Sequence, residues 1–272
     1  MDDEVLLEAR EGGVLILTLN RPDAMNTLQP KLMTDLTEAL ARAAEDRDVG
    51  CVVLTGAGRA FCAGADVTVV NKANERRSQQ PVLDPDAVEK RMARIRQSGE
   101  AARLLHEMDK PTIAMINGAC AGAGLALAGA CDLRFAAVSA VFASAYVKFG
   151  VPGDYGGAYF WTRILGTAKA RELYLLGEKM TAEEALAFGL LTRVTADEAL
   201  RETTLSLARS IAGDTRAAYA YAKRNLNLAE MGALKDVLDL DAMTTVLARE
   251  AVTRARKARQ AAAAAEQEEP SA

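Results

Sequence analysis

This sequence predicts an α/β fold with crossover connections, on three observations. Short apolar runs closed by glycine or opened by proline, such as GCVVLTGAG (50–58) and KPTIAMINGAC (110–120), read as strands buried on both faces. Segments with helical spacing of apolar residues alternate with these runs, which is the order of a sheet wound with helices. The length of 272 residues and a hydrophobic content of 50% allow a large core.

The elements follow in chain order. GGVLILTLNRP is a strand that stops at Asn20-Arg21-Pro22. Leu32, Leu36, Leu40 and Ala43 recur at helical spacing and predict a helix over 31–45. GCVVLTGAG and KPTIAMINGAC are the next strands. AGAGLALAGACD carries small residues almost throughout, as expected where a helix lies close to neighbouring backbone. LRFAAVSAVFASA is a further strand region, and from Thr167 onward the pattern is helical. Thr181 with Glu184 has the form of a capping box, Gly189 closes that helix, and LLTRVT is a short extended piece. Helices are predicted over 214–231 and 234–259, the last with an apolar face of Val237, Leu240, Met243 and Leu247. The final QAAAAAEQEEPSA is of low complexity and reads as a frayed end.

Composition excludes several classes. A formal net charge of −4 gives no general attraction to nucleic acid or anionic membrane. Cys51, Cys62, Cys120 and Cys131 are too widely spaced for a metal or redox pair, and His106 is the sole histidine, so no metal site is expected. The thiols sit in apolar stretches and read as reduced and buried, which predicts a cytoplasmic protein. MDDEVLLEAREGG has no apolar signal segment, and AMINGACAGAGLALAGA is too rich in glycine and alanine for a clear membrane span. The segment 72–96 sets Lys72, Arg76, Arg77, Lys90, Arg91, Arg94 and Arg96 against Glu75, Asp84, Asp86 and Glu89. It reads either as a solvated helix face or as a landing area for a polyphosphate.

One carboxylate stands out. In KFGVPGDYGGAYFWTR, Asp154 is the only acid between Asp132 and Glu172, set among Gly150, Gly153, Gly156 and Gly157. Aspartate often occupies turns because its side chain bonds nearby backbone N–H groups. A carboxylate aimed into a substrate pocket is the competing reading.

Four stretches in order, LNRPDAMNTL (19–28), LTGAGRAFCAGADV (54–67), KPTIAMINGACAGAGLALAGACDLRFAA (110–137) and the run 149–194, together resemble the crotonase, or enoyl-CoA hydratase/isomerase, family. The resemblance covers about 5–225. It implies a spiral of ββα units, with residues 1–205 as an acyl-CoA-binding core, 206–259 as a helical region that assembles a homotrimer or hexamer, and 260–272 as a tail. It also implies an acyl-CoA thioester as substrate and no permanently bound cofactor.

The motifs have a physical reason. A thioester that loses an α-proton becomes an enolate, and two preorganised N–H donors stabilise its oxygen. Backbone amides serve if neighbouring side chains are tiny, and CAGAD and AGAGL supply such neighbours. The family pattern places the donors on Ala65 and Ala123, and CoA contacts on Ala63, Gly64, Ala65 and Asp66. Asp66 reads equally as a turn cap. Arg21, Lys31 and the 72–96 cluster are candidates for the CoA phosphates.

The two glutamates by which hydratases of the family add water fall on Ala126 and Tyr146. Branches lacking them carry an aspartate in the glycine turn, which here is Asp154. The resemblance therefore implies an isomerase with Asp154 as base and Tyr146 as hydrogen-bond partner or proton donor. Burial among Tyr146, Phe149 and Tyr155 is expected to raise the Asp154 pKa. Tyr155, Phe160 and Trp161 read as walls of the acyl pocket, and His106 as a surface or cap residue. A hydratase with a non-standard water site, a hydrolase or dehalogenase with Asp154 as nucleophile, and a non-catalytic acyl-CoA-binding protein are the alternatives.

Overall fold

A hairpin opens the chain: β1 (Leu6–Glu11) pairs antiparallel with β2 (Val14–Leu19). The computed structural model describes residues 4–66 and 85–268. α1 (Pro30–Glu45) leads to β3 (Cys51–Gly56) and β4 (Ala60–Cys62). From 85 the order is α2 (Pro85–Ser98), α3 (Glu100–Glu107), β5 (Thr112–Ile116), β6 (Ala119–Ala121), α4 (Ala123–Ala130), β7 (Leu133–Ala137) and β8 (Val141–Ala143). Then come α5 (Gly157–Leu176), β9 (Met180–Thr181), α6 (Ala182–Phe188), β10 (Arg193–Thr195), α7 (Asp197–Ile211), α8 (Arg216–Ala229) and α9 (Leu234–Glu268).

The strands form two sheets, β1-β2-β3-β5-β7-β10 and β4-β6-β8-β9. β3, β5 and β7 of the first sheet are each followed by a short strand of the second, and twice a helix comes next: β5–β6–α4 and β7–β8–α5. This is the predicted spiral of ββα units. The bends are so tight that side chains are excluded. A β-carbon at Gly56 would lie 2.2 Å from Ala60 O, and one at Gly118 would lie 2.2 Å from Arg59 O.

The inner strands β2, β3, β5 and β7 of the first sheet are largely buried, as their unbroken apolar runs predict. Val52 and Leu54 of β3 enter the main core with α1, α3 and α4. Cys51 and Val53 point the other way, into a second cluster with Leu200, Leu205, Ala208 and Ile211 of α7. All four cysteines are buried and free. The capping box forms, Thr181 accepting from Glu184 N and Glu184 from Thr181 N. β1 was not anticipated: only Leu6 is buried on this edge strand, so it lacks an apolar pattern.

The helix expected from Thr167 starts ten residues earlier, at Gly157. Gly166 (φ 76°, ψ 165°) interrupts it, so two helical segments meet where the sequence pattern shows one. At the other end, helix continues past 259 to Glu268 instead of fraying, because Ala, Glu and Gln are strong helix formers. The buried Lys223 ties α8 to the core, donating to Leu105 O (2.8 Å) and Lys110 O (3.1 Å) and pairing with Asp132 (2.8 Å). On α9, Val237 and Leu240 are half-buried, whereas Leu238, Met243, Val246 and Leu247 are exposed. No described helix is long and apolar enough to cross a membrane.

Candidate active site

The two small-residue motifs meet. Ala63 N–H donates to Met25 O (3.0 Å) and Leu28 N–H to Gly64 O (2.8 Å), which fixes the segment 63–65 beside Leu28. Gly64 has φ +93°, and a β-carbon there would stand 2.9 Å from Ala121 O and 3.4 Å from Ala123 N. Ala123 is the first residue of α4, so its N–H has no acceptor within the helix. Among the described residues, Ala65 N–H donates to no backbone carbonyl. Close packing therefore accounts for Gly64, and also for Gly124, whose β-carbon would meet Cys62 O at 2.3 Å. The amides of Ala65 and Ala123 are left over beside that contact.

Asp66 pairs with Arg21 at 3.2 Å, and Arg21 also donates to Thr27 O (2.5 Å) and Thr27 Oγ1 (3.0 Å). Arg21, Ala24 and Lys31 line a cleft of about 750 Å³. The fully buried Asn26 holds this loop by donating to Ala57 O (2.9 Å) and Ala60 O (2.7 Å) while accepting from Arg21 N (2.8 Å). Its anchoring role was not read from the sequence. Of the basic segment, Lys90, Arg91, Arg94 and Arg96 lie on α2, while Lys72, Arg76 and Arg77 fall outside the described residues.

Asp154 lies between a short 3-10 turn (Tyr146–Phe149) and the start of α5. The hydrogen bonds of the described residues give the turn reading no support. The cap of α5 is Gly156 with no side-chain cap bond, and Asp154 Oδ1 is buried without a hydrogen-bond partner. Burial raises the pKa of this carboxyl, and the nearby Tyr146 hydroxyl offsets only part of the effect. Tyr146 Oη stands close enough to favour the carboxylate electrostatically, but it is not aligned into a hydrogen bond.

The groups around Asp154 differ from expectation in two ways. Phe149 is 63% exposed and does not bury the carboxyl, because the turn points it outward. Tyr174, which the sequence did not single out, does. Its ring stacks on Tyr146 with centroids 5.5 Å apart, and its hydroxyl is also buried and unpartnered. Burial, and then the field of Asp154, push the phenols of Tyr146, Tyr155 and Tyr174 well above their ordinary pKa, so all three stay protonated near neutrality. Tyr174 comes from α5, 20 residues beyond Asp154, and the periodicity of a helix interrupted at Gly166 could not place it.

Contacts join this cluster to the paired amides. A β-carbon at Gly122, next to Ala123, would lie 3.9 Å from Tyr146 Cε1. One at Gly157 would lie 2.3 Å from Tyr174 Oη and 3.1 Å from Ala126 Cβ. The Cys62 thiol, at the end of β4, is pushed up to about 12 by burial, with the field of Asp154 contributing. Backbone strain collects here too. Among the described residues, the non-glycine residues at positive φ are Met25, Asn26, Ala145 and Tyr155, which border the 63–65 segment, Tyr146 and Asp154. Such conformations cost about 1–3 kcal/mol each and persist where surrounding contacts hold them.

The other aromatic residues separate. Tyr155 lines a largely apolar cleft of about 460 Å³ with Ile95, Ala102, Tyr159, Phe160 and Met231. Trp161 is buried in the core, 3.0 Å from the β-carbon position of Gly129, and is no pocket wall. His106 ends α3 with Nε2 3.5 Å from Glu230 and its ring against Tyr159 and Phe160. Among the described residues no cluster of His, Cys, Asp or Glu could hold a metal ion.

A model of the enoyl-CoA hydratase/isomerase family matches residues 9–261. The chain belongs to the enoyl-CoA hydratase/isomerase family. A 1,2-epoxyphenylacetyl-CoA isomerase of Escherichia coli (strain K12) is 37% identical over 238 residues, covering 88% of this chain and 87% of that protein. An (E)-benzylidenesuccinyl-CoA hydratase of Thauera aromatica is 38% identical over 73% of each chain. The crystal structure of an enoyl-CoA hydratase from Polaromonas sp. JS666 superposes with a TM-score of 0.79 at 32% identity, covering 89% of this chain and 90% of that one. Membership makes this chain an acyl-CoA enzyme, and the two named relatives show that proteins this similar include both an isomerase and a hydratase.

Proposed function

We propose that this family member is an acyl-CoA isomerase in which Asp154 carries a proton between carbons of the acyl group. The observation that carries this reading is the buried carboxyl of Asp154, its Oδ1 without a hydrogen-bond partner, beside the meeting point of the two small-residue motifs. The thioester oxygen accepts hydrogen bonds from Ala65 N–H and Ala123 N–H. Asp154, ionised, takes a proton from the acyl chain. The electron pair left on carbon delocalises onto the thioester oxygen, where the two amides hold it; one such donor typically contributes about 100–1000-fold in rate. Asp154, now a carboxylic acid, returns the proton to another carbon. Its raised pKa makes it a stronger base than an exposed carboxylate, and acid–base catalysis of this kind gives about 100–10,000-fold.

Ala126 and Tyr146 offer no second carboxylate to hold a water, which favours proton transfer over hydration. The hydratase among the relatives keeps water addition as the second reading, with Asp154 and Tyr146 holding the water. Arg21, Lys31 and the basic residues of α2 are the proposed neighbours of the CoA phosphates, and the cleft at Tyr155 the proposed path of a longer acyl chain. The exposed Leu238, Met243, Val246 and Leu247 of α9 are the proposed contacts of a trimer or hexamer. The free, separated thiols suit a reducing compartment, and we place the enzyme in the cytoplasm.

Incubation with trans-2- and trans-3-enoyl-CoA in D₂O, followed by chromatography with mass detection, tests the reading. Isomerisation with deuterium at the acyl carbons supports it. Addition of one water without isomerisation overturns it in favour of the hydratase, and an unchanged thioester with no deuterium leaves only binding.

A further inference from the structure

An amide can serve a substrate oxygen only if its peptide plane is held, and three consecutive peptide units before Ala65 are each anchored. Ala63 N–H donates to Met25 O (3.0 Å), Gly64 N–H to Cys62 Sγ (3.4 Å), and Gly64 O accepts from Leu28 N–H (2.8 Å). In a trans peptide the N–H lies opposite the C=O, so the last of these bonds turns Ala65 N–H away from Leu28. The middle anchor holds the freest hinge, because Gly64 has no β-carbon and sits at φ +93°. Of the three anchors it is the one made by a side chain. Cys62 also touches the helix of the other donor. A β-carbon at Gly124, in the first turn of α4, would lie 2.3 Å from Cys62 O and 2.7 Å from Cys62 Cβ. Cys62 stands in register with Cys120 where β4 pairs with β6, the strand that leads into Ala123. The residue is fully buried. Its thiol, pushed up to about 12, is an uncharged acceptor near neutrality and sets no negative charge beside an enolate.

We propose that Cys62 is a positioning residue for the paired amides: its thiol holds Gly64 N–H so that Ala65 N–H faces the thioester oxygen, and its backbone and β-carbon set the spacing to Ala123 at the start of α4. The proposal rests on the reading above that these two amides hold the thioester oxygen, and it does not depend on Asp154 being the base. Size and polarity are both specified at this position. Alanine leaves the buried Gly64 N–H without its acceptor, so the Ala63–Gly64 peptide gains by rotating toward another one, and Ala65 N–H moves with it. A larger side chain is driven into the contact with Gly124. Serine keeps an acceptor of nearly the same size.

Two readouts on the full chain test the proposal. Infrared difference spectroscopy of bound butyryl-CoA, isotopically labelled at the thioester carbonyl, reads the amides directly, because hydrogen bonds to the oxygen lower its stretching frequency. Exchange of the α-proton in D₂O reads the reaction. Cys62→Ala is expected to lower the exchange rate at saturation about 10-fold or more and to shrink the carbonyl shift, while butyryl-CoA affinity by calorimetry holds within about threefold. Cys62→Ser is expected to bring exchange back to within about threefold of the parent and to restore the shift. Cys120→Ala removes the same atom from the adjacent strand; it should lower the melting temperature by a similar amount yet leave exchange within about twofold. If Cys62→Ala does not fold, Cys62→Val fills the space without an acceptor and takes its place. An unchanged shift and rate in Cys62→Ala, equal losses in Cys62→Ala and Cys120→Ala, or no recovery in Cys62→Ser overturns the role of Cys62. A parent carbonyl that does not shift on binding refutes the amide pair and this proposal with it; a shifted parent carbonyl with an indifferent Cys62→Ala refutes Cys62 alone. A parent that shifts the carbonyl without exchange refutes the base, and the carbonyl shift then tests Cys62 by itself.

Discussion

Replacing Gly64 by alanine is the sharpest test of the paired amides, because one methyl group is aimed at the contact between the two motifs. Gly64 sits at φ +93°, where a residue with a β-carbon is strained by about 1–2 kcal/mol. The added carbon would stand 2.9 Å from Ala121 O and 3.4 Å from Ala123 N. Both atoms are backbone, so no side chain can swing away. Ala121 belongs to β6, which is paired with β4 and β8, and Ala63 and Gly64 are tied to Met25 and Leu28. The clash is relieved only by sliding the 63–65 segment away from α4, which changes the separation of the two donors. An oxyanion donor out of place costs about 2.7–4 kcal/mol, or about 100–1000-fold in rate. The strain alone predicts a melting temperature lowered by about 2–8 °C. The assay is α-proton exchange from saturating acyl-CoA in D₂O, followed by mass spectrometry, with circular dichroism to confirm folding. Exchange falling at least 100-fold in a folded variant agrees with the reasoning. A folded Gly64→Ala variant that exchanges within threefold of the parent would show that the 63–65 amides do not hold the enolate.

Asp154→Asn is expected to abolish exchange while acyl-CoA affinity, by calorimetry, stays within a few-fold. The same variant should melt higher than the parent at neutral pH. The carboxyl pKa is raised on folding, so stability is lost as pH rises from the unfolded value through the folded one; the gap should close only as pH falls below the unfolded value of 3.8, where both states are protonated. The rate of exchange should climb with pH on a limb above the ordinary carboxylate range, and Tyr146→Phe should move that limb higher still, since the tyrosine hydroxyl lowers the Asp154 pKa; a limb that stays put would remove Tyr146 from contact with the base. Ala126→Glu with Tyr146→Glu should raise water addition to trans-2-enoyl-CoA, and a folded double variant that binds substrate without hydrating it would show that these positions do not correspond to the hydratase carboxylates. Lys223→Met breaks a buried pair and leaves Leu105 O and Lys110 O unserved, so it should cost about 3–5 kcal/mol in chemical denaturation, with little change in activity of the surviving folded enzyme. Met243→Asp with Val246→Asp should yield monomers by light scattering if α9 builds the assembly; a parent chain that is already monomeric refutes it.

Local pattern was enough for most of the architecture. The inner strands β2, β3, β5 and β7 are largely buried, so they read as unbroken apolar runs, and the capping box at Thr181 and the small-residue helix α4 are defined by neighbours in sequence. The amide pair was legible for the same reason. Close backbone approach demands glycine and alanine wherever it occurs, and CAGAD and AGAGL carry that demand in their composition. Asp154 was visible as a lone acid among glycines. Its surroundings were not, because a turn aspartate and a buried carboxylate share the same sequence. Only the tertiary structure shows its carboxyl capping nothing and buried beside three phenols. Tyr174 was hidden for a related reason: a helix interrupted at Gly166 breaks the register that would have placed it opposite Tyr146. Phe149 went the other way, an aromatic residue next to the Asp154 turn that the chain directs into solvent. Sequence spacing sets which residues recur along an element. The direction in which a turn aims its side chains, and which ring from a distant helix meets them, depends on how the elements pack.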